Sequence, residues 1–477
     1  MTRQAHSTAP IGRAGGDRRA ITCIGTARSY YDDKWTPPMA ENAPKRAKLV
    51  GFDNFVRNNP MSDRFDVLSF HHLEFLCGDA KVAAKHFCTA LGFRPLATSN
   101  MVTGNRTYAS HVVGSGSTIF ACTSPYGDAP TAPYPVPDAA DAKMLPNRAF
   151  NAREARQLFS AHGMHVAAIG VRVKDATVAF DRAVANGAMP KTKPFVDAAT
   201  GVATSEVVLY PGGDALLRFV SGERLDELPF LPGYAPASDA PKDGIGLGKY
   251  GIERIDHVVG NVPDLLKTVD YVMNATGFHE FAEFTAEDVG TVDSGLNSMV
   301  MASNNERVLL PVNEPTTGGK RKSQILTYIE QHGGPGVQHI ALKTDDVFAT
   351  VAAMRAACEA YGGFELMDRP RDQYYDKLRG RIGAAYITEA EVAQCRELGI
   401  LADRDDQGVL LQIFTKPIGD RSTLFIEIIQ RIGCTKDPAT NKAIAQKPGC
   451  GGFGKGNFHE LFRAIEEYET RAGINKL

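Results

Sequence analysis

The chain has 477 residues, 43% of them apolar and 23% charged, with a formal charge of −2. That length exceeds one ordinary core and predicts two or more domains. The near balance of charge excludes the basic surface that nucleic-acid binding needs, and no apolar run reaches the roughly 18 residues of a membrane-spanning helix.

Eight cysteines (23, 77, 88, 122, 358, 395, 434 and 450) are scattered and form no C-x-x-C pair. A four-cysteine zinc site is therefore excluded, a disulfide framework is not expected in a chain this size, and a reducing, cytoplasmic compartment fits. The first residues stand apart: five arginines (3, 13, 18, 19 and 28) and many Ser, Thr and Ala, with Asp17 the one acid. This composition suits either a plastid or mitochondrial transit peptide or a tail carrying no address, so residues 1–45 stay outside fold reasoning.

From there the chain repeats itself. Residues 70–93, FHHLEFLCGDAKVAAKHFCTALGF, read as a short strand, a turn, and an amphipathic helix closed by glycine. A long Pro/Ala loop follows at 124–149, then a second strand-turn-helix-glycine unit at 166–188, VAAIGVRVKDATVAFDRAVANGA. The stretch 229–251 is rich in Pro, Gly and Asp and reads as a linker. Beyond it the pattern returns in the same order: IDHVVGNVPDLLKTVDYVMNATGF at 255–278 and VQHIALKTDDVFATVAAMRAACEAYGG at 337–363. His72 and His257 occupy the same place, each 21 residues before the Phe of a Gly-Phe pair, Phe93 or Phe278. Strand runs in the second half fall at 296–302, 307–313, 409–415 and 424–430, with Asn304-Asn305 as a hairpin turn between the first two. The chain closes with a helix over 459–472, whose Leu461, Phe462, Ile465 and Tyr468 form one apolar stripe laid over the second domain.

The two copies differ where chemistry could sit. The second carries His257, His339 and Glu427 on strands; the first keeps His72 but has Ala168 opposite His339, and Arg218 or Phe219 opposite Glu427. A lone strand histidine is most often a satisfied core residue. A carboxylate inside LFIEII is harder to explain, because burying it costs several kcal/mol unless it is paired or coordinated. Arg431 lies four positions further along the strand and cannot easily reach it. Two imidazoles and one carboxylate form the facial triad of non-haem iron(II) oxygenases, which leaves open coordination positions. Strand parity adds a polar and aromatic wall, since Leu296 with Ser298, Pro311 with Asn313, and Gln412 with Phe414 share faces. The plainer alternative for that wall is a polar network inside a barrel.

Five blocks then carry a family resemblance: RIDHVVGNVP around His257, GGPGVQHIAL around His339, DRDDQGVLLQIFTKPIGDR at 403–421, LFIEIIQRIGC around Glu427, and CGGFGKGNF at 450–458. Over roughly residues 60–472 the chain resembles the plant-type 4-hydroxyphenylpyruvate dioxygenases of the vicinal oxygen chelate superfamily. The resemblance implies an α+β fold of two tandem open β-barrel domains, each of two βαβββ modules, with a C-terminal capping helix. The bounds are then 46–228 for a metal-free first domain and 252–477 for a catalytic second one. It implies Fe(II) on His257, His339 and Glu427, with O2 as co-substrate. Gln324, Gln412, Phe414 and Phe458 would be the residues working on the substrate, an aromatic 2-oxo acid. Val259, Ser298, Pro311, Asn313, Gln338, Leu401, Phe453 and Asn457 would complete its binding site. Gln338 poses a conflict: as the neighbour of His339 on a strand it should face the other way unless the strand bulges. Segment 450–458 would act as a lid hinged at Gly451, Gly452, Gly454 and Gly456; the bland reading of that glycine run is a tight turn. The implied reaction turns 4-hydroxyphenylpyruvate and O2 into homogentisate and CO2, in a homodimer. Alternatives are a hydroxymandelate synthase on the same substrate, a glyoxalase-like isomerase on zinc or nickel, and a module that only binds an aromatic ligand.

Overall fold

The computed structural model describes residues 49–127, 145–237, 250–290, 295–317, 319–436, 440 and 442–475. The extension 1–45, most of the 124–149 loop and most of the 229–251 linker lie outside the described residues.

The first half comprises β1 (Val67–Leu76), α1 (Ala80–Leu91), β2 (Arg94–Ser99), β3 (Tyr108–Ser115), β4 (Thr118–Pro125), α2 (Ala152–His162), β5 (His165–Val173), α3 (Ala176–Ala185), β6 (Pro190–Val196), β7 (Ala203–Val208), β8 (Leu216–Ser221) and a short β9 (Ala235–Pro236). The second comprises β10 (Ile252–Asn261), α4 (Leu265–Thr276), β11 (His279–Phe284), β12 (Leu296–Ala302), β13 (Leu309–Pro315), α5 (Gln324–His332), β14 (Gly336–Thr344), α6 (Val347–Tyr361), α7 (Asp372–Ile382), α8 (Glu389–Leu398), β15 (Leu401–Arg404), β16 (Gly408–Phe414), β17 (Phe425–Gly433) and α9 (Phe458–Ala472). One sheet runs β6-β7-β8-β5-β1-β4-β3-β2-β9, and the other β15-β16-β17-β14-β10-β13-β12-β11. Strand for strand, apart from β9, the order is the same. The expected α+β class and doubled, barrel-like scaffold are therefore present.

Local chemistry repeats with the topology. An aspartate caps the helix that follows β1, β5, β10 and β14, accepting from backbone N–H groups of the first turn: Asp79, Asp175, Asp264 and Asp346. This satisfies N–H groups that otherwise lack partners. Three of these helices end on a left-handed glycine, Gly92, Gly277 or Gly362, a conformation that a side chain would strain. At Gly277 a Cβ would also lie 2.1 Å from the Ser62 carbonyl. One apolar core runs through both halves, joining Phe75 and Phe120 to Val258 and Ile340.

Several expectations shift. The strand expected at 307–313 runs Leu309–Pro315. The hairpin is longer than two residues: Glu306 is its left-handed residue, while the Asn305 amide donates to the Val67 and Leu68 carbonyls of the first half. Helices α7 and α8 have no counterpart in the sequence expectations. Helix α9 buries Leu461, Phe462 and Ile465 as expected, but Glu469 is buried where Tyr468 is only half-buried. The reading of the cysteines needs correction at one pair, because Cys434 and Cys450 are joined in a disulfide. A cysteine count cannot register that the chain after β17 turns back on itself.

The leading segment crosses from the first half to the second. The N–H groups of Val50 and Gly51 donate to Glu283, Phe52 stacks on Phe284 at 5.3 Å, and Lys455 pairs with Asp53 at 3.1 Å.

Candidate metal centre

Strand register brings the three candidate ligands together. His257 on β10 pairs with Ala341 on β14, which pairs in turn with Glu427 on β17. His339 stands two residues before Ala341 and so projects from the same face. The Nε2 atoms of His257 and His339 lie 3.3 and 3.5 Å from the same oxygen of Glu427. Among the described residues this is the one group of three donors close enough to share an ion.

The outer nitrogens fix the tautomers. His257 Nδ1 donates to Asp256 at 2.9 Å, and His339 Nδ1 donates to Gln338 Oε1 at 2.9 Å. Each imidazole therefore turns its Nε2 inward, so two ring nitrogens and a carboxylate oxygen converge on one point. A cation resolves that arrangement, and outward hydrogen bonds of this kind are what orient metal-binding histidines. Burial works against charge at all three groups. At Glu427 the two imidazoles outweigh it and bring the pKa to about 2. At His257 the Asp256 and Glu427 carboxylates outweigh it and raise the pKa, whereas at His339 burial prevails and lowers it. The donor set thus fits a divalent ion: two imidazoles and one ionised carboxylate, with no fourth protein donor in the group.

The triad forms one wall of a cavity lined by apolar, aromatic and amide side chains, the character expected of a small-molecule site. Val259, Ser298, Pro311, Asn313, Gln324, Gln338, Gln412, Phe414, Phe453 and Phe458 line it. Leu401 and Asn457 do not. Leu401 packs behind the wall with Phe414 and Phe425, while Asn457 Oδ1 accepts from the Tyr374 hydroxyl at 2.8 Å and from Arg381 at 3.2 Å. The conflict over Gln338 resolves through the backbone. Val259 pairs with His339, but Gly260 pairs with Val337, so Gln338 is the extra residue of a bulge, and bulges re-aim side chains. Among the described residues, the buried Oε1 atoms of Gln324 and Gln412 meet no hydrogen-bond donor, so both amide oxygens can accept from a ligand.

Sequence reasoning missed part of the wall. Phe425 stacks on the His339 ring at 4.9 Å, and Phe284, Leu461, Phe462 and Ile465 close the apolar side. The last three belong to the α9 stripe, whose spacing signalled burial without saying what it would cover. Also missed was the Asp256–Arg431 pair, at 2.7 Å. Burial alone would raise the Asp256 pKa, but Arg431 and His257 hold it well below the ordinary carboxylate range.

With the geometry in place, comparison with known proteins defines the class. The description "Glyoxalase/Bleomycin resistance protein/Dioxygenase superfamily" matches residues 69–205 and 254–413, one stretch in each sheet. Within it, the chain is 50% identical over 432 residues to a 4-hydroxyphenylpyruvate dioxygenase of Arabidopsis thaliana, covering 90% of this chain and 94% of that protein. It is 52% identical over 414 residues to the enzyme of that name from Hordeum vulgare (87% and 91% covered), and 34% identical over 414 residues to that of Danio rerio (86% and 93%). The chain belongs to the 4-hydroxyphenylpyruvate dioxygenase family. A solved variant of 4-hydroxymandelate synthase from Streptomyces coelicolor shares the fold, with a TM-score of 0.63 at 24% identity over 85% of this chain and 99% of that one.

Proposed function

We propose that the chain oxidises 4-hydroxyphenylpyruvate with O2 to homogentisate and CO2, a step of tyrosine breakdown, using one iron(II) held by His257, His339 and Glu427. The observation that carries this reading is the convergence of two imidazole nitrogens and one carboxylate oxygen on the wall of a cavity lined by aromatic rings and amides. When bound there, iron(II) would supply redox chemistry with O2 and open positions for a chelating 2-oxo acid.

The protein's own share is aim and shelter. Phe414 and Phe458 would hold the substrate ring between aromatic faces. Gln324 and Gln412 would bond its phenol hydroxyl through amide oxygens that meet no donor among the described residues. Ser298 and Asn313 would orient the remaining oxygens, and Val259, Pro311 and Phe453 would exclude water from the reacting end. Gln338 would keep His339 in its working tautomer. Asn457 would act from outside the cavity by docking the 450–458 segment on Tyr374 and Arg381, with Leu401 as packing behind Phe414. No side chain is needed as a general base. A cytoplasmic homodimer completes the reading, with sedimentation and import of a 1–45 fusion as its checks.

Addition of 4-hydroxyphenylpyruvate to the iron(II)-loaded protein without O2 should give a visible charge-transfer band, and one turnover with O2 should give homogentisate. Formation of 4-hydroxymandelate, or turnover without O2 uptake, would overturn the proposal.

A further inference from the structure

Arg431 lies on the strand that carries Glu427, with its side chain wholly buried. Its Nε and Nη2 donate to Asp256 at 3.0 and 2.7 Å. Its Nη1 donates to two backbone carbonyls, Cys450 and Gly452, both at 2.7 Å. One planar cation therefore bonds on one edge the carboxylate that fixes His257, and on another the base of the 450–458 segment. Phe453, the next residue of that segment, meets the His257 ring edge-on at 5.2 Å and lies 5.6 Å from the guanidinium carbon. Segment and ligand are thus joined twice, through hydrogen bonds and through a ring.

We propose that Arg431 is a positioning residue that holds the closing segment 450–458 in register with the metal ligand His257, so that the cavity wall and the metal centre are ordered together. The inference rests on the metal reading above but concerns a residue outside the ligand set and outside the cavity. A guanidinium is required because it can present parallel N–H groups to a carboxylate while keeping further N–H groups for carbonyls. A lysine ammonium is a point donor and cannot span both.

The test compares wild type with Arg431→Lys, which keeps the buried charge, and with the double variant Asp256→Asn/Arg431→Gln, which replaces the ion pair by an amide pair and guards against simple misfolding. Two readouts are needed: binding of Fe(II) or Co(II) by titration, and amide hydrogen exchange of residues 450–458 in metal-free protein. Both variants should lose roughly ten- to a hundredfold in metal affinity, the usual effect of removing a group that orients a ligand. Exchange across 450–458 should rise together with that loss, while the strands of the first half keep their protection. A wild-type protein that binds neither metal would remove the reading of the site and the inference with it. Wild-type binding with unchanged affinity and unchanged exchange in Arg431→Lys would overturn the inference alone. A uniform rise in exchange over both halves would also overturn it, because Arg431 would then be a stability residue only.

Discussion

The two halves of the molecule place different chemistry on one rung of the same sheet. In the second half the rung reads His257–Ala341–Glu427, and in the first His72–Gly170–Arg218. The register thus settles that Arg218, and not Phe219, stands where Glu427 would be, with Ala168 in the place of His339. Arg218 is buried and pairs with Glu74 and Glu206, and it donates to His72 Nε2 at 2.9 Å. The His72 ring lies over Gly170, where a Cβ would come within 2.5 Å of it. Burial, with the neighbouring His71 and Arg218 adding to it, keeps His72 well below its ordinary pKa and therefore neutral. Both barrels bury charge, and each must compensate it. The first does so with its own cation. The second turns two imidazole nitrogens and a carboxylate toward one point, a donor set that could hold a metal ion.

The sharpest way to break this comparison is to remove a ligand. His257→Ala, His339→Ala and Glu427→Ala should each reduce turnover to background while circular dichroism stays that of the wild type; full activity in any one would remove that residue from the coordination sphere. Next in size is Arg218→Met, which strands Glu74 and Glu206 without their cation. Denaturant unfolding should show a loss of about 3–5 kcal/mol, with metal affinity held. If affinity fell with stability, the first barrel would be more than a scaffold. Phe458→Ala should lower kcat/KM roughly tenfold, or about 1.4 kcal/mol, with Tm moving by less than about 2 °C. A large drop in Tm with unchanged kinetics would assign the ring to packing.

The smallest effect concerns pH. Burial raises Glu469 on α9 from 4.5 to about 7. Between those values the folded chain holds a proton that the unfolded chain has lost, so stability declines as pH rises through the window, and the whole penalty is felt above it. Glu469→Gln should therefore raise Tm by roughly 2 °C at pH 8 and leave it unchanged at pH 4.5. An equal gain at both pH values would show that the carboxylate is not the cause.

Much of the second barrel could be read from the chain because its signals were local. An acid between Phe425, Ile426, Ile428 and Ile429 needs a partner wherever it is met, and the doubled strand-Asp-helix-Gly pattern revealed the scaffold. What escaped depended on distance or on one extra residue. Arg431 serves not the nearby Glu427 but Asp256, 175 positions away along the chain. The bulge at Gln338 breaks the side-chain alternation along β14. Phe425 looked like core because its stacking partner His339 sits on another strand, and the disulfide required a chain reversal that spacing does not encode.

The strap that crosses from the first half fixes where the molecule can be shortened. Phe52 rests on Phe284, which is itself part of the cavity wall, and Asp53 grips Lys455 within the closing segment. A protease or processing enzyme that cut ahead of Leu49 would leave this brace whole. A cut a few positions later, though far from His257, His339 and Glu427 in sequence, would take the outer support from the pocket.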